Sequence, residues 1–187
     1  MGKADMCPRD MTGTKRALPP TFTLAFRKAK CCEFVLTASQ VVPLSLESTF
    51  SFFENPGNLF EITPDWLDFR LCERDLPGVF EGAVYNYTIR WFGIRIRWQS
   101  KITEYTPPQR FVDVQVRGPY RYWHHLHTFD ETSSGTVVAD RVTYRVPFFV
   151  MPLHHLVIKK QLEDIFSYRA ARIAQWASGM LVRQKHR

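Results

Sequence analysis

From Gly82 to Pro147 the sequence changes polarity at nearly every residue. In GAVYNYTIRWF (82–92), Tyr85, Tyr87, Ile89 and Trp91 alternate with Asn86, Thr88 and Arg90. In IRIRWQSKITEY (94–105), Ile94, Ile96, Trp98, Ser100 and Ile102 alternate with Arg95, Arg97, Gln99 and Lys101. A period of two is the signature of strands with one buried face. RFVDVQVR (110–117), RGPYRYWHHLHTFD (117–130) and GTVVADRVTYRVP (135–147) continue the series, punctuated by Gly93, TPPQ and SSG. Connections this short make hairpins of neighbouring strands, so the segments predict an antiparallel meander. EFVLTASQVV (33–42) supplies an earlier strand, and WLDFRLCE (66–73) also alternates.

A one-sided sheet must cover its apolar face. The cover is a long helix expected from Pro152 to Met180, with Ile158, Leu162, Ile165, Phe166, Ile173 and Trp176 in a stripe, Arg169 inside it, and Gly179 as the stop. After the first strand, Ser45 can cap a short helix carrying Leu46, Phe50 and Phe53, which Asn55-Pro56-Gly57 ends; NLFEITP reads as a second short turn. The expected fold is α+β: a curved antiparallel sheet of about seven strands around a long C-terminal helix, with two short helices after the first strand. One helix cannot fill a wide concave sheet, so a space between them is expected.

The net charge of +7 invites a nucleic-acid reading, but residues 1–30 carry seven Lys and Arg against two Asp. The remaining 157 residues hold only +2, too little for a basic face on a folded module, so nucleic acid is not an expected partner. With Pro8, Pro19 and Pro20 and no sustained period, residues 1–30 read as a flexible basic extension, although TFTLAF (21–26) could form a strand. The folded domain is then expected over 31–180, with a basic tail over 181–187. Cys7, Cys31, Cys32 and Cys72 have no zinc-type spacing and read as free thiols. No apolar run is long enough to span a bilayer and no secretory leader is evident, so a cytoplasmic location is the expectation. Transient contact with a membrane surface stays open.

The stretch Arg117–Asp130 gathers three of the six histidines. Strand parity puts Trp123, His125, His127 and Phe129 on one face, taken as the interior, and Tyr122, His124, Leu126 and Thr128 on the other. A turn at ETSSG would set His125 across from Asp140 and Trp123 across from Val142. A turn at RGPY would set His125 near Asp113 and Trp123 near Gln115. The concave face would then collect Asp113, Gln115, Arg117, His125, His127 and Asp140, ringed by Tyr85, Tyr87, Trp98 and Tyr144. Several readings compete. Buried polar groups pair with one another as a matter of course. An apolar cavity with a few convergent polar groups orients a ligand. Asp113 or Asp140 could set His125 as a general base, with Arg117 or a tyrosine steadying an enolate. His125-x-His127 with Asp113 or Asp140 could hold a metal, although His-x-His is a common accident in strands. Arg169 either snorkels to solvent or a carboxylate, or anchors an acidic head group. His124 is expected at the surface and His154-His155 partly exposed.

Three segments, VPLSLESTFSFFENPGNLFEITP, RFVDVQVRGPYRYWHHLHTFD and DRVTYRVP with QLEDIFSYR, together resemble the SRPBCC superfamily (START or Bet v 1-like, the helix-grip fold), in particular its small bacterial ligand-binding members labelled polyketide cyclase/dehydrase- or lipid-transport-like. The resemblance spans about Glu33 to Ala177, and the basic extension before it has no counterpart in the family pattern. It implies an apolar cavity between sheet and helix that holds a hydrophobic small molecule. It implies no metal and no cofactor. The expected function is carriage or sensing of a lipid, isoprenoid quinone or polyketide, with Phe166 and Arg169 joining the residues above in the wall. The alternative is a cyclase/dehydrase using the His125–Asp patch; a partner enzyme is a third setting.

Overall fold

Tight turns between alternating segments make sequence neighbours into sheet neighbours, and the computed structural model shows the result for residues 19, 21–30, 32–72, 78–91 and 93–185. The strands are β1 (Thr23–Lys30), β2 (Glu33–Val42), β3 (Arg70–Leu71), β4 (Val84–Trp91), β5 (Ile94–Thr106), β6 (Arg110–Arg117), β7 (Tyr122–Thr132) and β8 (Gly135–Arg145). They form one antiparallel sheet in the order β1-β2-β8-β7-β6-β5-β4-β3. Helix α1 (Leu46–Glu54) follows β2, and α2 (Lys159–Lys185) closes the chain. The meander from β4 to β8 is the one the alternation predicts.

Helix α1 starts where expected: the Ser45 hydroxyl accepts the Ser48 amide at 3.3 Å and Leu46, Phe50 and Phe53 are buried. It stops at Asn55, and a 3-10 turn follows over Pro56–Leu59.

Four expectations need correction. Residues 23–30 are not part of a loose extension; β1 pairs with β2 from Thr23↔Ser39 to Lys30↔Glu33 and forms the sheet edge. Residues 1–18, where the rest of that extension lies, are outside the described residues, as are 186–187 of the expected tail. The strand expected over 66–73 shrinks to Arg70–Leu71, because Pro64 starts a 3-10 turn and Asp68 takes a left-handed backbone (φ 42°). There Asp68 meets Arg70, Arg90 and Arg95 at the surface. The final helix is not continuous from Pro152: Phe148–Leu153 is 3-10 and His154–Ile158 is a π turn, with Pro152 inside the former. Nor does Gly179 stop it, since α2 runs to Lys185.

The register of β7 and β8 also differs. His125 faces Val142 and His127 faces Asp140, two residues away from the expected pairing. The cause is the turn, which uses only Ser133 and Ser134: Thr132 pairs with Gly135, and its hydroxyl donates to the Gly135 carbonyl at 2.8 Å. A two-residue shift preserves parity, so every inward side chain stays inward. Gly135 is required there. Its φ is 125°, and a Cβ would lie 2.2 Å from the Val42 carbonyl oxygen.

The core has two parts beneath α2. One joins Phe50, Phe52 and Phe53 of α1 to Phe111 and Phe129 of the sheet and to Ile173 and Ala177 of α2. The other joins Leu36, Val142 and Tyr144 to Ile158, Leu162 and Phe166. Full burial of each large apolar side chain contributes about 1.5–3 kcal/mol. Helix α2 thus packs on the sheet through both clusters, and a space is left between them.

Candidate functional site

That gap is a cavity of about 240 Å³. Its wall is built by α1 and the turns after it (Phe52, Phe53, Leu59, Ile62, Leu67), by β4 to β7 (Tyr85, Tyr87, Ile89, Trp98, Ile102, Phe111, Trp123) and by α2 (Leu162, Ile165, Phe166). Alternation along the strands puts these aromatics on one face, and helical spacing puts Leu162, Phe166 and Arg169 on the facing stripe.

One spot in this wall is ionic. His127 Nε2 lies 3.0 Å from Asp113 Oδ2, and His125 Nε2 lies 2.9 Å from Asp140 Oδ1. The other ring nitrogens also face carboxylates: His125 Nδ1 is 3.4 Å from Asp113, and His127 Nδ1 is 2.9 Å from Asp140. Arg169 reaches down from α2, its Nη2 3.6 Å from Asp140 and 3.5 Å from His127 Nδ1, while its guanidinium lies 5.4 Å over the Phe53 ring. The His125 and His127 rings lie 3.7 Å apart, and Phe111 stacks on His127 at 4.2 Å. His125, His127 and Asp140 are buried and Arg169 and Asp113 half-buried; Asp113 is the most open member, its side chain 19% exposed.

The charges follow from the packing. Burial acts to raise Asp140, but Arg169 and the two histidines hold it well below the usual carboxylate range. Burial likewise opposes ionisation of Asp113, and the histidines hold it low. Burial and the neighbouring His127 push His125 down. In His127 burial is outweighed by the hydrogen bonds to Asp113 and Asp140, so its pKa is raised. Two carboxylates thus face Arg169 and two histidines, a polar island in an apolar wall. Beyond it, the Ser100 hydroxyl takes the Trp98 indole N–H at 3.0 Å and meets the Tyr87 hydroxyl at 3.1 Å. Burial, with Asp113 nearby, drives the Tyr87 pKa well up.

Of the residues expected in the wall, Tyr85, Tyr87, Trp98, Asp113, Trp123, His125, His127, Phe166 and Arg169 line the cavity. Asp140 stands behind the histidines rather than at the surface. Three expected residues are elsewhere. Gln115 clamps the backbone of Tyr120, donating to its carbonyl at 2.6 Å and accepting its amide at 3.2 Å. Arg117 is exposed at the end of β6, beyond the last β6–β7 pair, Val114↔His124. Tyr144 is fully buried and bonds His154 at 2.9 Å. His154 is itself buried, against expectation, stacked on Phe34 at 3.5 Å. Missed altogether were Ser100 as a polar hub and the contribution of Phe52, Leu59 and Ile62; the Phe52-Phe53 pair after a capped helix start was the available signal.

Asp113, His125 and His127 each offer a ligand atom within 4.8 Å of one another, a set that could hold a divalent ion. Each ring nitrogen concerned already has a carboxylate neighbour.

The sequence matches the family described as polyketide cyclase/dehydrase and lipid transport over residues 42–172. No curated protein matches it in sequence. Among solved structures, the Thermus thermophilus protein TTHA0849 superposes with a TM-score of 0.63 at 15% identity, covering 78% of this chain and 98% of that one. The Chromobacterium violaceum protein CV1439 gives 0.59 at 15% identity, covering 76% and 96%. Ara h 8.0201 gives 0.52 at 13% identity, covering 79% and 99%. At these identities the likeness is one of fold.

Proposed function

The chain belongs to the polyketide cyclase/dehydrase and lipid transport family, within the SRPBCC superfamily, and on that premise we propose that it binds a hydrophobic small molecule, such as a lipid, isoprenoid quinone or polyketide, between sheet and α2, as a carrier or sensor. The observation that carries the reading is an apolar cavity with one polar island in its wall, the usual form of a small-molecule site. Arg169 is positioned to meet a carbonyl, carboxylate or phenol oxygen, while the aromatic wall takes the apolar remainder. Arg169 Nε has no hydrogen-bond partner among the described residues, so the guanidinium has donor capacity left over.

A second reading, cyclase or dehydrase chemistry, draws on His125 held by Asp140 in the same wall. It is the weaker one. Both ring nitrogens of His125 face carboxylates, which leaves none turned to a substrate. Asp113 and Asp140 are held at low pKa and make poor bases near neutrality.

Native mass spectrometry of gently purified protein is expected to show a co-purifying apolar molecule, and anilinonaphthalene sulfonate is expected to bind with one-site stoichiometry. Ile165→Trp, which fills the cavity from α2, should weaken that binding about tenfold or more, a cost of about 1.4 kcal/mol. A protein that carries nothing, and whose probe binding is the same with Ile165→Trp, would refute the proposal.

A further inference from the structure

The connection between β8 and α2 breaks the rule that large apolar side chains turn inward. Phe148 is 76% exposed, Phe149 81%, Leu153 52% and Leu156 79%. Four such side chains within nine residues make a contiguous apolar projection, and soluble surfaces carry such patches where something else covers them. The backbone here is a 3-10 turn running into a π turn, an irregular rod that holds the side chains outward.

The charge around the projection says what covers it. From Arg145 through Lys160 there is no Asp or Glu. Phe148 borders a surface groove with Lys30, Arg121 and Arg145. The sheet register brings these together, since Lys30 pairs with Glu33, Glu33 with Arg145, and the Arg121 amide donates to the Arg145 carbonyl at 2.9 Å. On the other side Lys159, next in sequence to Lys160, lies 5.4 Å over the Phe26 ring of β1, the strand that also carries Lys28. Glu33, Glu163 and Asp164 pair with Arg145, Lys159 and Lys160 and leave Lys28, Lys30 and Arg121 in excess. An apolar projection ringed by net positive charge matches the interface of a bilayer with an anionic surface, where aromatic side chains sink to the acyl boundary and lysines stay at the head groups.

We propose that Phe148–Lys160 is a membrane-docking surface, with Phe148, Phe149, Leu153 and Leu156 inserting into a bilayer of anionic phospholipid. The segment leads straight into Gln161, Leu162 and Ile165 of the cavity wall, so docking sets one end of the cavity against the lipid surface. The surface stands on exposure and charge alone and does not depend on what the cavity holds.

The test is co-sedimentation of the full chain with vesicles of phosphatidylcholine and phosphatidylglycerol, beside vesicles of phosphatidylcholine alone. Wild type should pellet with the mixed vesicles, weakly with the neutral ones. Phe148→Ser with Phe149→Ser should cut partitioning at least tenfold while leaving the melting temperature unchanged, since both side chains face solvent. Binding that persists undiminished in the double variant, carried by the basic residues before Thr23, would overturn the proposal. So would a wild type that ignores vesicles and instead sediments as a dimer that the double variant dissociates, because the cover would then be a second copy of the chain.

Discussion

Arg169 holds the polar island together, facing Asp140 from the helix while two histidines face it from the sheet. Arg169→Met leaves two buried carboxylates with one cation fewer, and breaking a buried pair in this way costs about 3 kcal/mol. Urea unfolding near neutral pH should show that loss, while Arg169→Lys should recover only part of it, since a lysine lacks the planar fork. His154 supports a second prediction. Burial, with His155 and Lys159 nearby, brings its pKa down to about 4, from the ordinary 6.5. Its folded pKa lies below its unfolded one, so its stabilising contribution is complete above about pH 6.5. It is lost as pH falls toward 4, because the unfolded chain takes up the proton first; the full loss is on the order of 3 kcal/mol. Stability measured from pH 7 to 4.5 should fall more steeply in wild type than in His154→Gln. These two residues also show what was legible. Arg169 stands out in the sequence because it interrupts an apolar stripe. His154 does not, because an adjacent His-His after a proline reads as surface, and only its contacts with Phe34 of β2 and Tyr144 of β8 reveal its burial.

At the level of elements, parity proved more robust than register. Trp123, His125, His127 and Phe129 face inward as alternation requires, although β8 slid by two residues when its turn tightened. Alternation failed over 66–73, where a left-handed Asp68 and a cluster of arginines set the backbone instead of a pleated partner. Edge strand β1 is only partly legible, for a different reason: TFTLAF can form a strand, but the prolines and basic residues around it look like a tail, and the pairing is visible only once β2 is in place. Gly179 has the form of a stop, but packing of Met180 and Leu181 against the core carries α2 past it. Because Gly179 is exposed, with nothing within 4 Å of an added Cβ, Gly179→Ala should stabilise the protein by about 0.5–1 kcal/mol in thermal or urea unfolding. Ser45→Ala, which removes the cap of α1, should cost about 1 kcal/mol by the same measurement.

Across the whole molecule, the cavity is a consequence of geometry before it is one of function. A single helix anchored at both ends over a curved sheet leaves its middle unsupported, and that much followed from element order alone. Which polar groups would look into the space did not follow. Gln115 and Arg117 share the strand parity of Asp113, yet one is engaged by a turn and the other lies beyond the part of β6 that pairs with β7, past an irregularity in its pairing with β5. Parity assigns a face, whereas the end of a ladder decides whether the face is still there.

The pairing of β2 with β8 has a separate consequence, for the order in which the chain assembles. Glu33 pairs with Arg145 and Val42 with Thr136, so this ladder waits for nearly a hundred residues of intervening chain. The hairpins from β4 to β8 close short loops and can form early, whereas β2, beyond its own hairpin with β1, must close a long loop before its ladder with β8 can form. Pulse-labelled hydrogen exchange during refolding should therefore protect amides of β7 and of the β7-facing side of β8 before the β8-facing amides of β2. Until that seam closes, β8 presents an open edge to any other chain, which makes dilute refolding conditions the ones in which this protein should recover best.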